Sequence, residues 1–356
     1  MMMVVLSGAL VEAGKDSCFV YLVTVPRGVD NAPDHSHPIW DYIGDLKISL
    51  AYLNLNFNQE FQYPIVIFHD GLVASTMETI RAAARESGPL IQFEKIEFDW
   101  PASLATPQLR DGHQLDGSTC TGKPWHLNYL HMNRFFSLTM FQHPVLKPFK
   151  RYARIDTDLF FIFRMRTDMF EKMETEGRSF VYWNDVMEPE GCVYGLESAI
   201  EVYLRESGMD LIDSLDVRAG YHGCFGMGNL EFFRSEKYLK FAEYLNELDG
   251  IYEHRWADQV IYRLAMTIFG EEADGRVGRW PELKRHLQHN KKYPSDLCSV
   301  VPEHRTCQET YWQMAKGKRM RPIHGGAYKH VYFPLKEDEL DDDSKAETFL
   351  DVELEL

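Results

Sequence analysis

In this 356-residue chain two carboxylates one residue apart, Asp156 and Asp158, follow the apolar run FKRYARI (149–155). Alternate residues of an extended segment point the same way, so both side chains can converge on one point. Two hard oxygen donors at the end of a strand suit Mn²⁺ or Mg²⁺, which keep open positions for phosphate oxygens. An ion held there takes up charge on a departing group. The same pair can also do no more than cap a turn, where Asp is common. A second candidate is the stretch RPIHGGAYKH (321–330). Its glycines let backbone approach a ligand closely, His324 is a candidate third metal ligand, and Lys329 a candidate diphosphate contact. The bland alternative is a turn with a solvated histidine.

Strand-length apolar runs alternate with helical patterns around these residues. CFVYLVTV (18–25), YPIVIF (63–68), IQFEKIEF (91–98), FKRYARI (149–155), SFVYWND (179–185) and GCFGM (223–227) read as strands. Helices are predicted over 39–54, 73–87, 126–142, 165–176, 194–207, 235–248 and 255–269, with Ser235 as an N-cap. Residues 100–124 hold the prolines, glycines and polar residues of a long loop. The alternation predicts an α/β protein whose mainly parallel sheet is covered on both faces. In such sheets ligands bind beyond the carboxyl ends of the strands, which is where the acidic pair falls.

Composition narrows the function classes. The formal charge is −16, and residues 336–356 carry ten acids against two lysines, the pattern of a solvated, disordered tail. No basic face is present to track a phosphate backbone, which argues against nucleic-acid binding. The aromatic content of 13% suits sugar or base stacking, and core packing explains it equally. Six scattered cysteines form no CxxC pair, and a chain of this size needs no bridges. No apolar window reaches membrane-spanning length, the apolar opening lacks a basic n-region, and no Asn-x-Ser/Thr sequon occurs. The expectation is a soluble protein without a transmembrane anchor in a reducing, intracellular (cytoplasmic) setting, or the Golgi lumen if an anchor was removed.

Three segments in order carry a resemblance. FNQEFQYPIVIFHD (57–70), YLHMNRFFSLTMFQHPVLKPFKRYARIDTD (129–158) and GNLEFFRSEKYLKFAEYLNELDGIYEHRWADQ (228–259) resemble the fungal Golgi α-1,2-mannosyltransferases of glycosyltransferase family 15. The shared features are the Tyr-Pro strand with its terminal Asp, the Tyr-x-His-Met-x-Arg-Phe block leading to an acidic triplet, and Phe-Phe-Arg-Ser followed by Arg-Trp-x-Asp. The resemblance implies a GT-A glycosyltransferase fold using a divalent metal and a nucleoside diphosphate sugar. It implies one catalytic domain over 1–335, with the donor side about 16–165 and the acceptor side about 166–335. Asp156 stands where the family has its metal-binding Glu, and Asp158 at the triplet's third position. Tyr129 matches a tyrosine near donor and metal, and His131 and Arg134, in the same block, are expected to bind or support the donor. Asp70 ends the strand expected to shape the nucleotide pocket. Asp258 matches an acidic residue near the acceptor and becomes the candidate base. The family's C-terminal metal-binding His has two candidates, His289 and His324, with His324 preferred for its following Gly-Gly-Ala-Tyr-Lys.

One departure bears on mechanism: the Glu proposed as nucleophile in the family's Asn-Phe-Glu-Ile is replaced in Cys224-Phe-Gly226-Met. The expected function is Mn²⁺- or Mg²⁺-dependent transfer from a nucleotide sugar (GDP-mannose by resemblance, or a UDP-sugar such as UDP-xylose) to a glycan hydroxyl on an oligosaccharide or glycoprotein. Two rivals remain. One is a non-catalytic carbohydrate-binding relative, which the missing Glu would suit. The other is a haloacid-dehalogenase-like phosphohydrolase, which expects Thr or Val where Phe160 stands.

Overall fold

The structure is a computed structural model, and it describes residues 14–25, 42–98, 120, 127–213, 215–289, 320–322 and 332–334. The chain divides into two compact units, 1–290 and 291–356. In the second, Met320–Pro322 and Tyr332–Pro334 pair as antiparallel strands. His324, Lys329 and the acidic tail lie outside the described residues.

The first unit is built on a sheet of seven strands. In chain order they and their neighbours are β1 (Ser17–Val23), β2 (Ile65–His69), β3 (Ile91–Lys95), β4 (Arg151–Ile155), β5 (Leu159–Phe161), β6 (Phe180–Tyr182), β7 (Asp185–Met187), β8 (Ala219–Tyr221), β9 (Phe225–Asn229), β10 (Val277–Arg279) and β11 (Leu287–His289). The sheet order is β10-β6-β9-β4-β1-β2-β3. Every pairing is parallel except those of β9, which runs antiparallel to both β4 and β6. The helices are α1 (Tyr42–Leu53), α2 (Ala74–Ala83), α3 (Leu127–Arg134), α4 (Met169–Thr175), α5 (Leu196–Glu206), α6 (Glu236–Glu247) and α7 (Asp258–Ile268).

Period-two alternation sorts each central strand between two cores. Cys18, Val20, Val66, Phe68 and Tyr152 enter one, with Phe141, Phe241 and Ile261 from the covering helices. Phe19, Tyr21, Ile65, Ile67, Ala153 and Ile155 enter the other, with Leu46, Leu50 and Phe170. A fully buried Phe68 or Phe19 is worth about 1.5–3 kcal/mol relative to exposure. Both strand faces must therefore be apolar, which is why these strands read as unbroken hydrophobic runs. Ser235 caps α6 by accepting from the Tyr238 amide, as its sequence position foretells. Asp168 does the same for α4, taking the amides of Phe170 and Glu171.

Two helices change pitch where the site needs them. After Arg134, α3 continues through a π-helical turn, Phe135–Thr139, into Met140–Gln142. Widening a helix strains its i→i−4 bonding, and two carbonyls of this turn receive buried tyrosine hydroxyls: Tyr262 donates to Phe136 O and Tyr238 to Ser137 O, each at 2.7 Å. A second π turn, Asn54–Asn58, extends α1. From this element Ser49 and Asn56 donate to the Leu159 and Phe161 carbonyls, bracing the short strand β5 from one side.

Candidate active site

The turn after β4 carries the acidic pair. The Asp156 amide donates to Cys224 O at 3.0 Å and Leu159 N donates to Asp156 O at 3.0 Å, so the segment turns at once into β5. β5 pairs antiparallel with β11, and Leu159 is the register partner of His289. That pairing delivers an imidazole from 131 residues downstream: His289 Nε2 lies 3.2 Å from Asp158 Oδ1. One donor atom each from Asp156, Asp158 and His289 falls within 4.8 Å of the others. Two carboxylates and an imidazole fit Mn²⁺ in donor type and in spread. Burial works against a charge on His289, but its hydrogen bond to Asp158 and the charges of Asp158 and Asp156 raise its pKa overall.

Behind this group lies Arg154, two residues earlier on the same strand face and only 3% exposed. Its Nε donates to Asp156 Oδ1 at 3.2 Å, and its Nη1 donates to Asp258 Oδ2. Its guanidinium lies 3.6 Å from the centre of the Phe136 ring, which the π turn supplies. Burial opposes the arginine's charge, and Asp258 and Asp156 more than offset it, so Arg154 stays cationic. Asp258 opens α7, also 3% exposed; burial pushes its carboxyl up while Arg154 pulls it down. A base must reach the proton that it abstracts. The structure gives Asp258 the Arg154 guanidinium as its neighbour, which fits a role through Arg154 better than contact with an acceptor hydroxyl.

A second polar chain runs alongside. Arg255, in the left-handed region at φ +63°, donates from Nη2 to the Tyr129 hydroxyl at 2.9 Å and from Nη1 to Glu188 Oε2 at 2.5 Å. Gln259 donates to the other Glu188 oxygen and accepts from the Gly223 amide at 3.1 Å. The two chains meet at Gly223, where an added Cβ would sit 3.5 Å from both Arg154 Nη1 and Gln259 Oε1. Burial raises the Tyr129 pKa, with Arg255 opposing and Asp258 and Glu188 adding to it. Tyr129 is thus near both carboxylates.

Comparison with known proteins shows the family: the model of a family described as glycolipid 2-alpha-mannosyltransferase fits residues 40–277. The chain belongs to that family. Among curated relatives, "Probable mannosyltransferase KTR2" of Saccharomyces cerevisiae is 27% identical over 257 residues, 64% of this chain and 60% of that protein. "Glycolipid 2-alpha-mannosyltransferase 1" of Candida albicans is 23% identical over 241 residues, 62% and 54% respectively. The chain therefore spans about 60% or less of the length of these two relatives. Its fold is that of the solved mannosyltransferase Ktr4p from S. cerevisiae in complex with GDP, with TM-score 0.63, 18% identity, and 82% and 75% of the two chains covered. Core-mannan synthase A from Aspergillus fumigatus, solved in an Mn/GDP form, aligns with TM-score 0.60 at 18% identity, over 79% and 75%. The GT-A fold class expected from the sequence is the one found.

Within this family member the predicted residues separate. Asp156, Asp158, Tyr129 and Asp258 belong to the two linked polar chains, and His289 takes the place beside the acidic pair. Asp70, at the end of β2, is buried and accepts from the Val25 amide at 2.7 Å, tying two strand ends together. Arg134 donates to Asn246 Oδ1 at 2.7 Å and lines a separate cleft of about 230 Å³ with Lys95, Phe98, His131 and Tyr252. His131 stacks on Phe98 and bonds the Tyr252 hydroxyl; burial, with Arg134 nearby, lowers its pKa to about 4. Gly226 leaves no space for the missing Glu, because an added Cβ would come within 2.8 Å of Phe180 Cζ.

Sequence reasoning did not find Glu188, Gln259 or His222. Glu188 offered no signal, being one acid in a loop-like MEPEG stretch. Arg154 had one, since it precedes Asp156 by the two residues that share a strand face. Of the cysteines, whose even number permits bridges, Cys120 and Cys192 form a disulfide across 72 residues. No helix among the described residues is long and apolar enough to cross a membrane.

Proposed function

We propose that this chain transfers mannose from GDP-mannose to a hydroxyl of a glycan, using Mn²⁺ held by Asp156, Asp158 and His289. The observation that carries the reading is the convergence of these three donors at the carboxyl end of β4 in a member of this family. The mannosyltransferase names of the relatives and the GDP and Mn of the solved neighbours support the donor and the ion. When bound, the cation supplies charge stabilisation for the departing diphosphate.

The chain's own residues have separable parts. Asp156 and Asp158 present oxygens, and Arg154 fixes Asp156 through its Nε. Asp258 holds Arg154 in place from the other side. Tyr129, oriented by Arg255 and Glu188, is the group assigned to the donor phosphates. Such preorganised donors act without reorganising at the moment of reaction. The acceptor is a glycan hydroxyl, in keeping with the mannosyltransferase and glycolipid mannosyltransferase names of the relatives.

A panel of GDP- and UDP-sugars tests this, reading thermal stabilisation and sugar transfer with and without Mn²⁺. GDP-mannose with Mn²⁺ should stabilise the protein and be consumed. Asp158→Asn and His289→Asn should each cost at least about a hundredfold in transfer while leaving the fold intact. Undiminished turnover in EDTA would discard the metal role, and a response confined to UDP-sugars would discard the donor.

A further inference from the structure

The loop between β8 and β9 brings a second kind of donor to the same place. His222 and Cys224, with His289, offer one ligand atom each within 4.8 Å of one another. Cys224 is 1% exposed and is not in a disulfide. His222 Nδ1 accepts from the Cys224 amide at 3.3 Å, which fixes the ring and leaves Nε2 as its outward nitrogen. The His222 and His289 rings stand 5.4 Å apart, and the Trp183 ring meets both edge-on at 5.8 and 6.4 Å. The indole beside paired, partly exposed imidazoles and a buried sulfur frames a set of soft donors.

We propose that His222, Cys224 and His289 form a second cation site, selective for Zn²⁺ or Co²⁺ over Mn²⁺. A thiolate and two imidazoles are the donors that such ions prefer, whereas carboxylates suit Mn²⁺ and Mg²⁺. On binding, the sulfur lone pair goes to the cation and the thiol proton to the buffer. His289 is common to both sets and its Nε2 already faces Asp158, so the two sites compete for one imidazole. Zinc on the soft side withdraws His289 from Asp156 and Asp158, and it therefore inhibits an enzyme that works with Mn²⁺. The inhibition rests on the function proposed above; the soft site itself does not.

Cobalt reports the site directly. The full chain, stripped with EDTA, is titrated with Co²⁺ while the near-ultraviolet thiolate-to-cobalt charge-transfer band is followed. The wild type should give a band that saturates at one equivalent and is bleached by Zn²⁺. Cys224→Ser should abolish the band, and His222→Asn should weaken Co²⁺ binding at least about tenfold. Asp158→Asn should keep the band. Because Cys224 is fully buried, circular dichroism checks each variant's fold, and the half-buried His222→Asn serves if Cys224→Ser does not fold. Absence of the band in wild type, or its persistence in both the Cys224 and His222 variants, overturns the site. If the band behaves as described but no mannose is transferred, the proposed function falls and the soft site stands. If transfer is robust with Mn²⁺ and no band forms, the reverse holds.

Discussion

The Arg154–Asp258 pair makes a sharp energetic prediction. Both groups are 3% exposed, so each relies on the other for the solvation that it has lost. Replacing Arg154 by Met strands Asp258 as an uncompensated buried carboxylate, a change that costs about 3–5 kcal/mol. It also removes the guanidinium from the Phe136 ring, a contact worth up to about 2 kcal/mol when desolvated. Replacing Asp258 by Leu should cost less, about 2 kcal/mol, because Asp156 still faces Arg154 at 3.2 Å. The double variant leaves no orphan charge, and apolar replacement of a buried pair is often neutral or better. Its loss should be roughly 2–3 kcal/mol rather than the sum of the singles, a coupling of about 3 kcal/mol. Urea unfolding of all four proteins at neutral pH measures this.

A pH series adds a second reading. In Arg154→Met the folded-state pKa of Asp258 rises further above its unfolded value, since the pull of Arg154 is gone while burial remains. Between the two pKa values the unfolded chain binds fewer protons, so stability is full below the unfolded pKa and falls as pH rises through the folded one. The slope can reach about 1.4 kcal/mol per pH unit in that window. The double variant should lose this slope and regain stability, yet remain inactive because Asp156 has lost its Arg154 contact. Additivity of the single losses to within about 0.5 kcal/mol would refute the account.

Three further outcomes follow from particular contacts. His131 is neutral in the fold with a pKa of about 4 against an ordinary 6.5, so stability is present above 6.5 and lost as pH falls through 4. His131→Gln should flatten that acid limb in a denaturation series; an unchanged limb would count against a buried neutral imidazole. Opening the Cys120–Cys192 bridge, by Cys192→Ser or by reductant, frees a 72-residue loop and should cost about 4 kcal/mol on the chain-entropy account; thermal unfolding that ignores dithiothreitol would mean that the bridge does not form. Gly228→Ala drives a Cβ to 2.4 Å from Tyr152 and 2.6 Å from Phe233, two core rings, and should destabilise more than Gly226→Ala, whose Cβ meets the Phe180 ring at 2.8 Å. Each should cost upwards of about 1 kcal/mol in urea unfolding, and a reversed order would contradict the packing.

The central strands were legible because both their faces are buried, which leaves long apolar runs such as Cys18 to Val23. The helices were legible from their period, but the π turn inside 126–142 was not. Of the three-residue strands, β6 was found within SFVYWND, but most were not. β5, β8, β10 and β11 are too short to show an alternation, and β5 and β11 deliver His289. A histidine's distance along the chain says nothing of its register partner, so the choice between His289 and His324 had no physical basis in the sequence. The structure shows His289 beside Asp158, while His324 is outside the described residues. Asp156 and Asp158 were found because their spacing is itself geometry. Glu188 and the Cys120–Cys192 pairing depend on contacts between segments far apart, which neither pattern nor composition encodes.

The absence of a carboxylate at 226 is built into the packing around it. Gly226 pairs with Arg154 on one side and Tyr182 on the other, and Phe180 fills the room that its side chain would need. No single substitution at 226 can restore an acid there without moving a core ring. The charge near the site is instead arranged around Arg154. One guanidinium stands against Asp156 and Asp258, Asp158 faces His289, and Glu188 is matched by Arg255. With His289 neutral, two negative charges are left over, which one divalent cation would match under the function proposed above. Asp156 and Asp158 are only partly exposed, so unmatched charge there carries a desolvation cost that the metal ion proposed above would relieve.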